Sequence, residues 1–293
     1  MLAKDLIKRI RHIQIRTSHL VSDALAGQYH SAFKGRGMEF EEVRPYQVGD
    51  EIRTIDWNVS ARVGEPHVKL FREERELTVM LAVDLSGSQS FGTQQQLKRE
   101  LLAEIAATLA FSAIRNNDKV GLICFTDRVE KFVPPRKGPK HVLRIVRELL
   151  ALKPEGSGTA VGPAIEELDR VLRKRGVVFV LSDFMDDGYE RALRTASRRH
   201  DVIPILVSDR REEELPNVGL VEFTDAETGR RTVIDTGRRR VRDRFAAQAG
   251  NRRKELASMF RRMRMDPIEV RTGESFVDPL TAYFRRRGKR RSR

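Results

Sequence analysis

Acidic and hydroxyl side chains follow an apolar run near the middle of the sequence. Residues 79–83 are apolar without interruption, and the run stops at Asp84. A short run of this kind predicts a central strand that is buried on both faces. Asp84, Ser86 and Ser88 then lie in the turn beyond the strand, where ligands gather in open α/β sheets. Oxygen ligands without His or Cys favour Mg²⁺, Mn²⁺ or Ca²⁺ over zinc. The same residue types also form ordinary turns after strands, so this stretch alone leaves both interpretations open.

Two later stretches supply oxygen atoms in a similar setting. Residues 156–162 read Gly-Ser-Gly-Thr-Ala-Val-Gly and place Thr159 where a helix begins, although Thr159 could simply cap that helix. Residues 177–183 form another apolar run that ends at Ser182 and Asp183, and this acid could equally belong to a solvated turn. Three such stretches with the same placement are improbable by chance, and we expect one divalent-metal site. Its predicted ligands are Asp84, Ser86, Ser88, Thr159 and Asp183.

The order Asp84-Leu85-Ser86-Gly87-Ser88, then Thr159, then Asp183 resembles the metal-ion-dependent adhesion site of von Willebrand factor A domains. The resemblance implies that the two serines and the threonine bind the metal directly or nearly so. It implies that the two aspartates bind directly or through water, and that a carboxylate of a partner protein completes the octahedron. It also implies a six-stranded sheet with one antiparallel edge strand.

A second resemblance comes from residues 35–76, in which short β-like pieces alternate with Gly, Pro and many charged residues around the single tryptophan, Trp57. This segment resembles the signature of the bacterial domain-of-unknown-function family DUF58. That family joins the segment to a von Willebrand A-like domain and is typically encoded beside MoxR-type AAA+ ATPases. The resemblance therefore implies a MoxR-type AAA+ ATPase as the partner, with this chain as its adaptor or co-factor.

The 35–76 segment also contains enough charged groups for acid–base or phosphate chemistry. We favour a structural network of arginines and carboxylates over catalysis, because the segment has neither a Ser/His/Asp order nor a phosphate-cradling loop. Gly35-x-Gly37 lacks the third glycine and the preceding strand of a dinucleotide fingerprint. The charged residues in question are Glu39, Arg44, Asp50, Arg53, Asp56 and Arg62.

Apolar strands alternate with amphipathic helices downstream, which predicts an α/β fold with a doubly wound, mostly parallel sheet. An N-terminal helix and a small β-rich segment precede it. The expected divisions are residues 1–76, 77–285 and a basic tail, 286–293. The predicted strands are 120–125, 129–133, 201–207 and 268–270, with a hairpin at 220–223 and 232–234. The predicted helices are 2–26, 97–115, 187–199, 239–264 and 276–287, with Asp209 and residues 212–214 in a loop.

Composition limits the possible settings of the protein. The chain has 293 residues, of which 40% are hydrophobic and 33% charged, as in globular proteins. The single cysteine, Cys124, lies in a strand-like run and predicts a buried, inert thiol. Together with the lack of a signal-peptide pattern, this predicts a cytoplasmic location. No apolar run reaches the roughly 18–20 residues that a membrane-spanning helix needs.

The formal net charge of +14 favours acidic partners, which could be a protein, an anionic membrane or nucleic acid. The basic helix predicted at 2–26 could make peripheral contact with an anionic membrane, but we expect its apolar stripe to pack on its own domain. Aromatic residues, 6% of the chain, are not interleaved with the arginine runs, which argues against recognition of nucleic acid by stacking. We expect residues 285–293 to be a disordered tail.

These observations predict a binding module and not an enzyme, with no small-molecule substrate. Two alternatives stay open. One is a metal-dependent phosphoesterase or hydrolase with Asp84 as nucleophile, for which the sequence places no acid/base and no phosphate-neutralising Lys or Arg beside the cluster. The other is electrostatic binding of nucleic acid or an anionic surface, whose affinity would fall steeply as the salt concentration rises and would not change on addition of EDTA.

Overall fold

The computed structural model describes residues 3–20, 23–33, 39–72, 76–90, 97–224 and 229–291. The chain divides into two compact units, Phe33–Glu76 and a larger unit that joins Met1–Ala32 to Leu77–Arg293. The boundary after residue 76 is where the sequence suggests one. Residues 1–32, however, group with the α/β unit instead of with the segment that follows them.

Ten strands and ten α-helices are found among the described residues. The strands are β1 (Glu39–Pro45), β2 (His67–Arg72), β3 (Thr78–Asp84), β4 (Lys119–Phe125), β5 (Val129–Arg136), β6 (Val177–Ser182), β7 (Asp201–Ser208), β8 (Leu220–Thr224), β9 (Arg231–Asp235) and β10 (Ile268–Arg271). The helices are α1 (Ala3–Leu20), α2 (Asp23–Phe33), α3 (Trp57–Val63), α4 (Lys98–Arg115), α5 (Pro139–Ala151), α6 (Val161–Val171), α7 (Glu190–Arg199), α8 (Arg210–Glu213), α9 (Arg239–Arg262) and α10 (Val277–Arg291).

The larger unit is built on a six-stranded sheet with the order β10-β7-β6-β3-β4-β5. β5 is antiparallel to β4, and every other neighbouring pair is parallel. The predicted α/β class, the mostly parallel sheet and the antiparallel edge strand are therefore confirmed. β8 and β9 form the separate hairpin that the sequence predicts.

The two central strands are the ones that precede the predicted site. β3 lies between β4 and β6 in the sheet. After β3 the chain adds β4 and β5 beyond one edge of β3, and later adds β6, β7 and β10 beyond its other edge. Such a reversal leaves a crevice at the carboxyl ends of the strands. Met80 and Ala82 share a core with α6, α7 and the end of α9, while α4 packs on the opposite side against β3 and β4. Burial on both faces explains why these strands read as unbroken apolar runs.

The helix predicted at 97–115 differs in one respect from the expectation. α4 begins at Lys98, and Leu97, which was expected on its apolar face, is 41% exposed just before it. α4 is buried on nearly all sides, because it lies between the sheet and the helices α1 and α5. Its apolar residues therefore surround the helix instead of forming one stripe.

The N-terminal basic pattern forms two helices instead of one helix over 2–26. α1 ends at Leu20 and α2 begins at Asp23. α1 packs on α4 and α5, with Ile13 buried and Arg16 donating to Glu104 at 2.8 Å. The expectation that this helix packs on its own unit is confirmed.

The basic C-terminal run is helical and not disordered as far as it is described. α10 continues to Arg291, and Arg287 forms an ion pair with Asp201 at the start of β7. Residues 292 and 293 lie outside the described part of the chain. Cys124 is fully buried, and this burial raises the pKa of its thiol, as expected of an inert cysteine. Among the described residues, no helix has the length and apolar character needed to cross a membrane.

In the 33–76 unit, Arg44, Asp50 and Asp56 make structural contacts. Arg44 donates to both carboxylate oxygens of Asp50 at 2.7 Å, a two-point pairing that fixes the turn after β1. Asp56 accepts hydrogen bonds from the first backbone N–H groups of α3 and pairs with Lys69 at 3.1 Å. Arg53 and Arg62 are exposed. The side chain of Glu39 and the Gly35-x-Gly37 pattern lie outside the described part.

Candidate metal site

The carboxyl ends of β3 and β6 bring the two predicted aspartates together. Val83 pairs with Leu181 in the parallel ladder, so that Asp84 lies beside Ser182 and Asp183 follows directly. Asp84 has no exposed surface, and Asp183 is 3% exposed. The apolar runs that predicted these strands also explain the burial of the acids, because each acid continues a strand that is covered on both faces.

Asp84 is held by hydrogen bonds on both carboxylate oxygens. The backbone N–H of Ser86 donates to Oδ1 at 2.9 Å, which closes the turn after β3. The hydroxyl of Ser182 donates to Oδ2 at 2.6 Å, and Gln89 Nε2 lies 3.4 Å from the same oxygen. Asp84 is therefore a fixed acceptor at the base of the crevice.

The hydroxyls of the turn connect the two aspartates. Ser88 Oγ donates to Asp183 Oδ2 at 2.8 Å, and the Ser86 and Ser88 hydroxyls are 3.1 Å apart. The structure thus places four of the five predicted ligands in one hydrogen-bonded cluster. Ser88 is half-buried, whereas Ser86 is 1% exposed, so Ser88 lies nearer the solvent.

The loop that contains Thr159 lies against this turn. The backbone N–H of Gly87 donates to the carbonyl of Ser157 at 2.9 Å, and Thr159 is half-buried. At the other side of the loop, Ala160 N donates to Thr126 O at 2.8 Å. These contacts fix the loop that contains the fifth predicted ligand beside the other four.

Glu130, on the edge strand β5, anchors the same loop through hydrogen bonds. Its carboxylate accepts from Gly156 N at 2.8 Å and from the Thr126 hydroxyl at 2.7 Å. Hydrogen bonds from backbone N–H groups and this hydroxyl outweigh the effect of partial burial and lower the pKa of Glu130. A Cβ at Gly156 would collide with the side chains of Thr126 and Asp127 as they stand, so a larger residue would force these side chains to move.

The chain leaves β6 through a strained residue. Phe184 has φ of 53°, in the left-handed region that a bulky side chain rarely adopts, and such a residue costs on the order of 1–3 kcal/mol. Packing on Phe260 and Tyr189, with ring centroids 5.3 and 5.6 Å away, holds Phe184 in place. Its N–H donates to Ser182 Oγ at 3.0 Å. This turn fixes the direction in which Asp183 points. Asp186 takes another role and caps α6 through Val161 N.

A lysine that sequence reasoning missed lies in the site. Lys98 Nζ is 2.8 Å from Asp183 Oδ2 and 2.5 Å from Glu212 Oε1, and its side chain has no exposed surface. Burial acts to lower the pKa of Lys98, but the charges of Asp183 and Glu212 prevail and raise it. Lys98 is therefore a charged ammonium inside the site. The sequence placed no cation beside the cluster, which argued against the hydrolase alternative. The structure places Lys98 there.

Glu212 was expected in a loop, but it belongs to the short helix α8. Asp209 caps this helix, and Glu212 Oε2 accepts in return from Asp209 N at 2.9 Å, so the two residues form a capping box. Asp209 also accepts from the Thr272 hydroxyl at 2.5 Å, which ties α8 to the end of β10. The second oxygen of Glu212 is left to bind Lys98.

The site contains more negative than positive charge. Among the described residues, Lys98 pairs with Asp183 and Glu212, whereas Asp84 accepts only from neutral groups of Ser86, Gln89 and Ser182. Burial, followed by repulsion from Asp183, raises the pKa of Asp84 to about 6. Burial is the larger cause of this shift, and repulsion between the two carboxylates adds to it. A bound cation would relieve this repulsion.

The donor set fits a hard divalent cation. Every predicted ligand offers an oxygen, and neither His nor Cys contributes to the cluster, which suits Mg²⁺, Mn²⁺ or Ca²⁺. Among the described residues, no group of three or more His, Cys, Asp or Glu is arranged as a metal centre. The predicted site is of another kind, with two carboxylates and three hydroxyls.

Comparison with known proteins decides the family. The chain matches the family described as "Protein of unknown function DUF58" over residues 42–255, which is most of its length. The chain belongs to this family. The uncharacterized protein Rv1480 of Mycobacterium tuberculosis is 33% identical over 95% of this chain and 89% of its own length. YeaD of Bacillus subtilis is 25% identical over 55% of this chain and 37% of YeaD.

Solved structures show weaker likenesses to this DUF58 protein. BatB from Bacteroides thetaiotaomicron has a TM-score of 0.47 and 18% identity, over 73% of this chain and 99% of BatB. The SpRpn10 VWA domain has a TM-score of 0.37 and 13% identity, over 71% of this chain and 95% of that domain. At these scores the likenesses carry no argument about function.

Proposed function

We propose that this DUF58 protein is a metal-dependent protein-interaction module that binds a carboxylate of its partner through a divalent cation. The residues that would hold the cation are Asp84, Ser86, Ser88, Thr159 and Asp183. The observation that supports this most is the hydrogen-bonded cluster of two buried carboxylates and two hydroxyls at the ends of β3 and β6. The cluster has surplus negative charge and no nitrogen or sulfur ligand, as a Mg²⁺ site requires.

Burial gives the site a closed base and an accessible rim. Asp84, Ser86 and Asp183 are buried, whereas Ser88 and Thr159 are half-buried. A partner would therefore approach over the two hydroxyl residues. Its carboxylate could not reach Lys98, whose side chain has no exposed surface. When bound, the metal would supply an electrophilic position at which a partner carboxylate replaces water.

The proposed partner is a MoxR-type AAA+ ATPase, which the family resemblance implies, with this chain as adaptor or co-factor. Another acidic protein is the alternative partner, since the net charge of +14 favours negatively charged surfaces. Mg²⁺ as the metal, with Mn²⁺ or Ca²⁺ as substitutes, and a cytoplasmic location with peripheral contact to an anionic membrane are part of the same proposal.

The test is binding between purified MoxR-type ATPase and this protein, measured in Mg²⁺ and in EDTA. Because ATPases use Mg²⁺ themselves, the decisive comparison keeps Mg²⁺ constant and compares the unchanged protein with Ser86→Ala. The proposal expects Ser86→Ala to lose binding at least tenfold. Equal binding of both proteins would contradict a metal-bridged interaction.

A metal-dependent phosphoesterase is a second candidate, and Lys98 is the observation that favours it, because a cation beside Asp183 could neutralise a phosphate. Two facts oppose it. Asp84, the required nucleophile, has no exposed surface, and both of its oxygens accept hydrogen bonds. Turnover of p-nitrophenyl phosphate in Mg²⁺ that is lost in Asp84→Asn would support this candidate, and the interaction module predicts no such turnover.

A further inference from the structure

Lys98 occupies an unusual place for a lysine. It is the first residue of α4, at the end where the helix dipole is positive and where cations are disfavoured. Its side chain is completely buried and ends between Asp183 and Glu212. Burial of a charge at such a position is stable only with close carboxylate partners. The ammonium therefore depends on the acids of the site.

Lys98 and the proposed metal use the same carboxylate. Asp183 Oδ2 accepts from Lys98 Nζ at 2.8 Å and also from Ser88 Oγ at 2.8 Å. Asp183, one of the residues that would hold the metal, is thus already bonded to a cation. Two positive charges that share one carboxylate repel each other, and burial of the site makes this repulsion stronger than it would be in water.

We propose that Lys98 is an internal counter-cation that holds the site together without metal and weakens its affinity for divalent metal. This inference rests on the proposed metal-dependent function and concerns the regulation of that same site. With Lys98, the three acids Asp84, Asp183 and Glu212 are reduced to a net charge of about −2, which one divalent cation neutralises. A partner carboxylate then adds negative charge, so metal and partner bind with positive coupling, each strengthening the other.

The charge account predicts opposite effects for two substitutions. Lys98→Met removes the positive charge and should bind Mg²⁺ at least tenfold more tightly than the unchanged protein. Glu212→Gln removes a negative charge and should bind Mg²⁺ more weakly, several-fold or more. If Lys98 and Glu212 only supported the local structure, both substitutions would weaken metal binding. The direction of the Lys98→Met effect therefore separates the two explanations.

The experiment is calorimetric titration of Mg²⁺ into the full chain and its variants, together with thermal unfolding with and without Mg²⁺. Without metal, Lys98→Met should unfold at lower temperature than the unchanged protein, since Asp183 loses its counter-cation. Addition of Mg²⁺ should raise the unfolding temperature of Lys98→Met by more than it raises that of the unchanged protein. Lys140→Met, on the exposed side of α5, and Glu213→Gln, next to Glu212 but paired with Arg271, are the matched controls. Both controls should keep the affinity of the unchanged protein.

The outcomes distinguish this inference from the proposed function. Equal Mg²⁺ affinity in Lys98→Met and the unchanged protein would overturn the role of Lys98 and leave the metal site in place. Absence of Mg²⁺ binding in the unchanged protein, Lys98→Met and Glu212→Gln would overturn both. Should Lys98→Met fail to fold, Lys98→Gln takes its place, because it also removes the positive charge but keeps a polar side chain that can bond to the carboxylates. An Mg²⁺ affinity of Lys98→Gln equal to or below that of the unchanged protein would overturn the inference.

Discussion

Ser88 and Asp183, which are 95 residues apart in the sequence, are joined by a hydrogen bond of 2.8 Å from Ser88 Oγ to Asp183 Oδ2. This bond connects the turn after β3 with the end of β6. These are the two parallel strands between which the chain changes the side of the sheet on which it adds strands. The carboxyl ends of neighbouring parallel strands meet at one edge of the sheet, and this geometry makes the cluster. The predicted ligands are thus neighbours because of the strand order.

Ser86→Ala should affect function far more than stability. The Ser86 hydroxyl contacts the Ser88 hydroxyl at 3.1 Å, while the Ser86 N–H that holds Asp84 is unchanged by the substitution. The Ser86 hydroxyl also bonds the Asp84 carboxylate, so we expect the free energy of unfolding to fall by about 1–2 kcal/mol, the net worth of two hydrogen bonds. Mg²⁺ affinity should fall at least tenfold in calorimetry. Ser197→Ala, on α7, is the matched control and should change neither quantity.

Asp84→Ala should behave differently and reduce stability as well as metal binding. The substitution leaves the Ser182 hydroxyl and the Ser86 N–H without their buried acceptor. Each such loss costs about 1–3 kcal/mol. Denaturant unfolding should show Asp84→Ala to be less stable than Ser86→Ala. The reverse order would mean that Asp84 is not the fixed base of the site.

Glu130 should act as a positioning residue for the Thr159 loop. Its carboxylate accepts from Gly156 N in that loop and from the hydroxyl of Thr126, whose backbone carbonyl accepts from Ala160 N. Groups of this kind typically change metal affinity by about 10–100-fold. We expect Glu130→Ala to weaken Mg²⁺ binding within this range, and Glu130→Gln to recover part of the loss because it keeps one acceptor oxygen.

Glu148→Ala, on α5, is the control for Glu130. If Glu130→Ala and Glu148→Ala bind Mg²⁺ with the same affinity, the Thr159 loop does not contribute to the metal site. Thermal unfolding of both variants in saturating Mg²⁺ shows whether Glu130→Ala also loses stability. This separates weaker metal binding from a general loss of folded protein.

His200 should make stability depend on pH. Its Nδ1 accepts from Gly176 N at 3.2 Å, so the proton lies on Nε2, which is 3.1 Å from Asp169 Oδ1. Burial lowers the pKa of His200 from its ordinary value of 6.5, against the opposing effect of Asp169. The unfolded chain therefore binds the proton first, and stability is lost as pH falls below about 6.5.

The measurement is the free energy of unfolding from pH 8 to pH 5. His200→Asn keeps an acceptor for Gly176 N and cannot be protonated. Its free energy of unfolding should therefore fall less below pH 6.5 than that of the unchanged protein. His30→Asn, which replaces an exposed histidine of α2, should keep the decline of the unchanged protein. Identical slopes for His200→Asn and the unchanged protein would exclude His200 as the cause.

The sheet and most of the cluster could be predicted from local patterns. β3 and β6 are recognisable because strands covered on both faces are unbroken apolar runs, and the acids at their ends mark the edge where ligands gather. The residue types at Asp84, Ser86 and Ser88 then suggest an oxygen site without any knowledge of the partner strand.

Lys98 and Glu212 were missed because their roles depend on contacts 114 residues apart in the chain. Lys98 is one of 56 basic residues, and Glu212 one of three successive glutamates. One signal was present for Lys98. It is a lysine at the first position of a helix that is apolar nearly all round, where the helix dipole disfavours it unless carboxylates lie close. No comparable local signal distinguishes Glu212 from its neighbours.

The most direct test of the central claim is anomalous diffraction from crystals of the full chain grown with Mn²⁺, with a Ser86→Ala crystal as control. The proposed function predicts a single strong anomalous peak within coordination distance of the Ser86 and Ser88 hydroxyls, lost in Ser86→Ala. A map without a peak at this cluster, at Mn²⁺ concentrations that saturate binding in calorimetry, would contradict the metal site and with it the metal-bridged interaction.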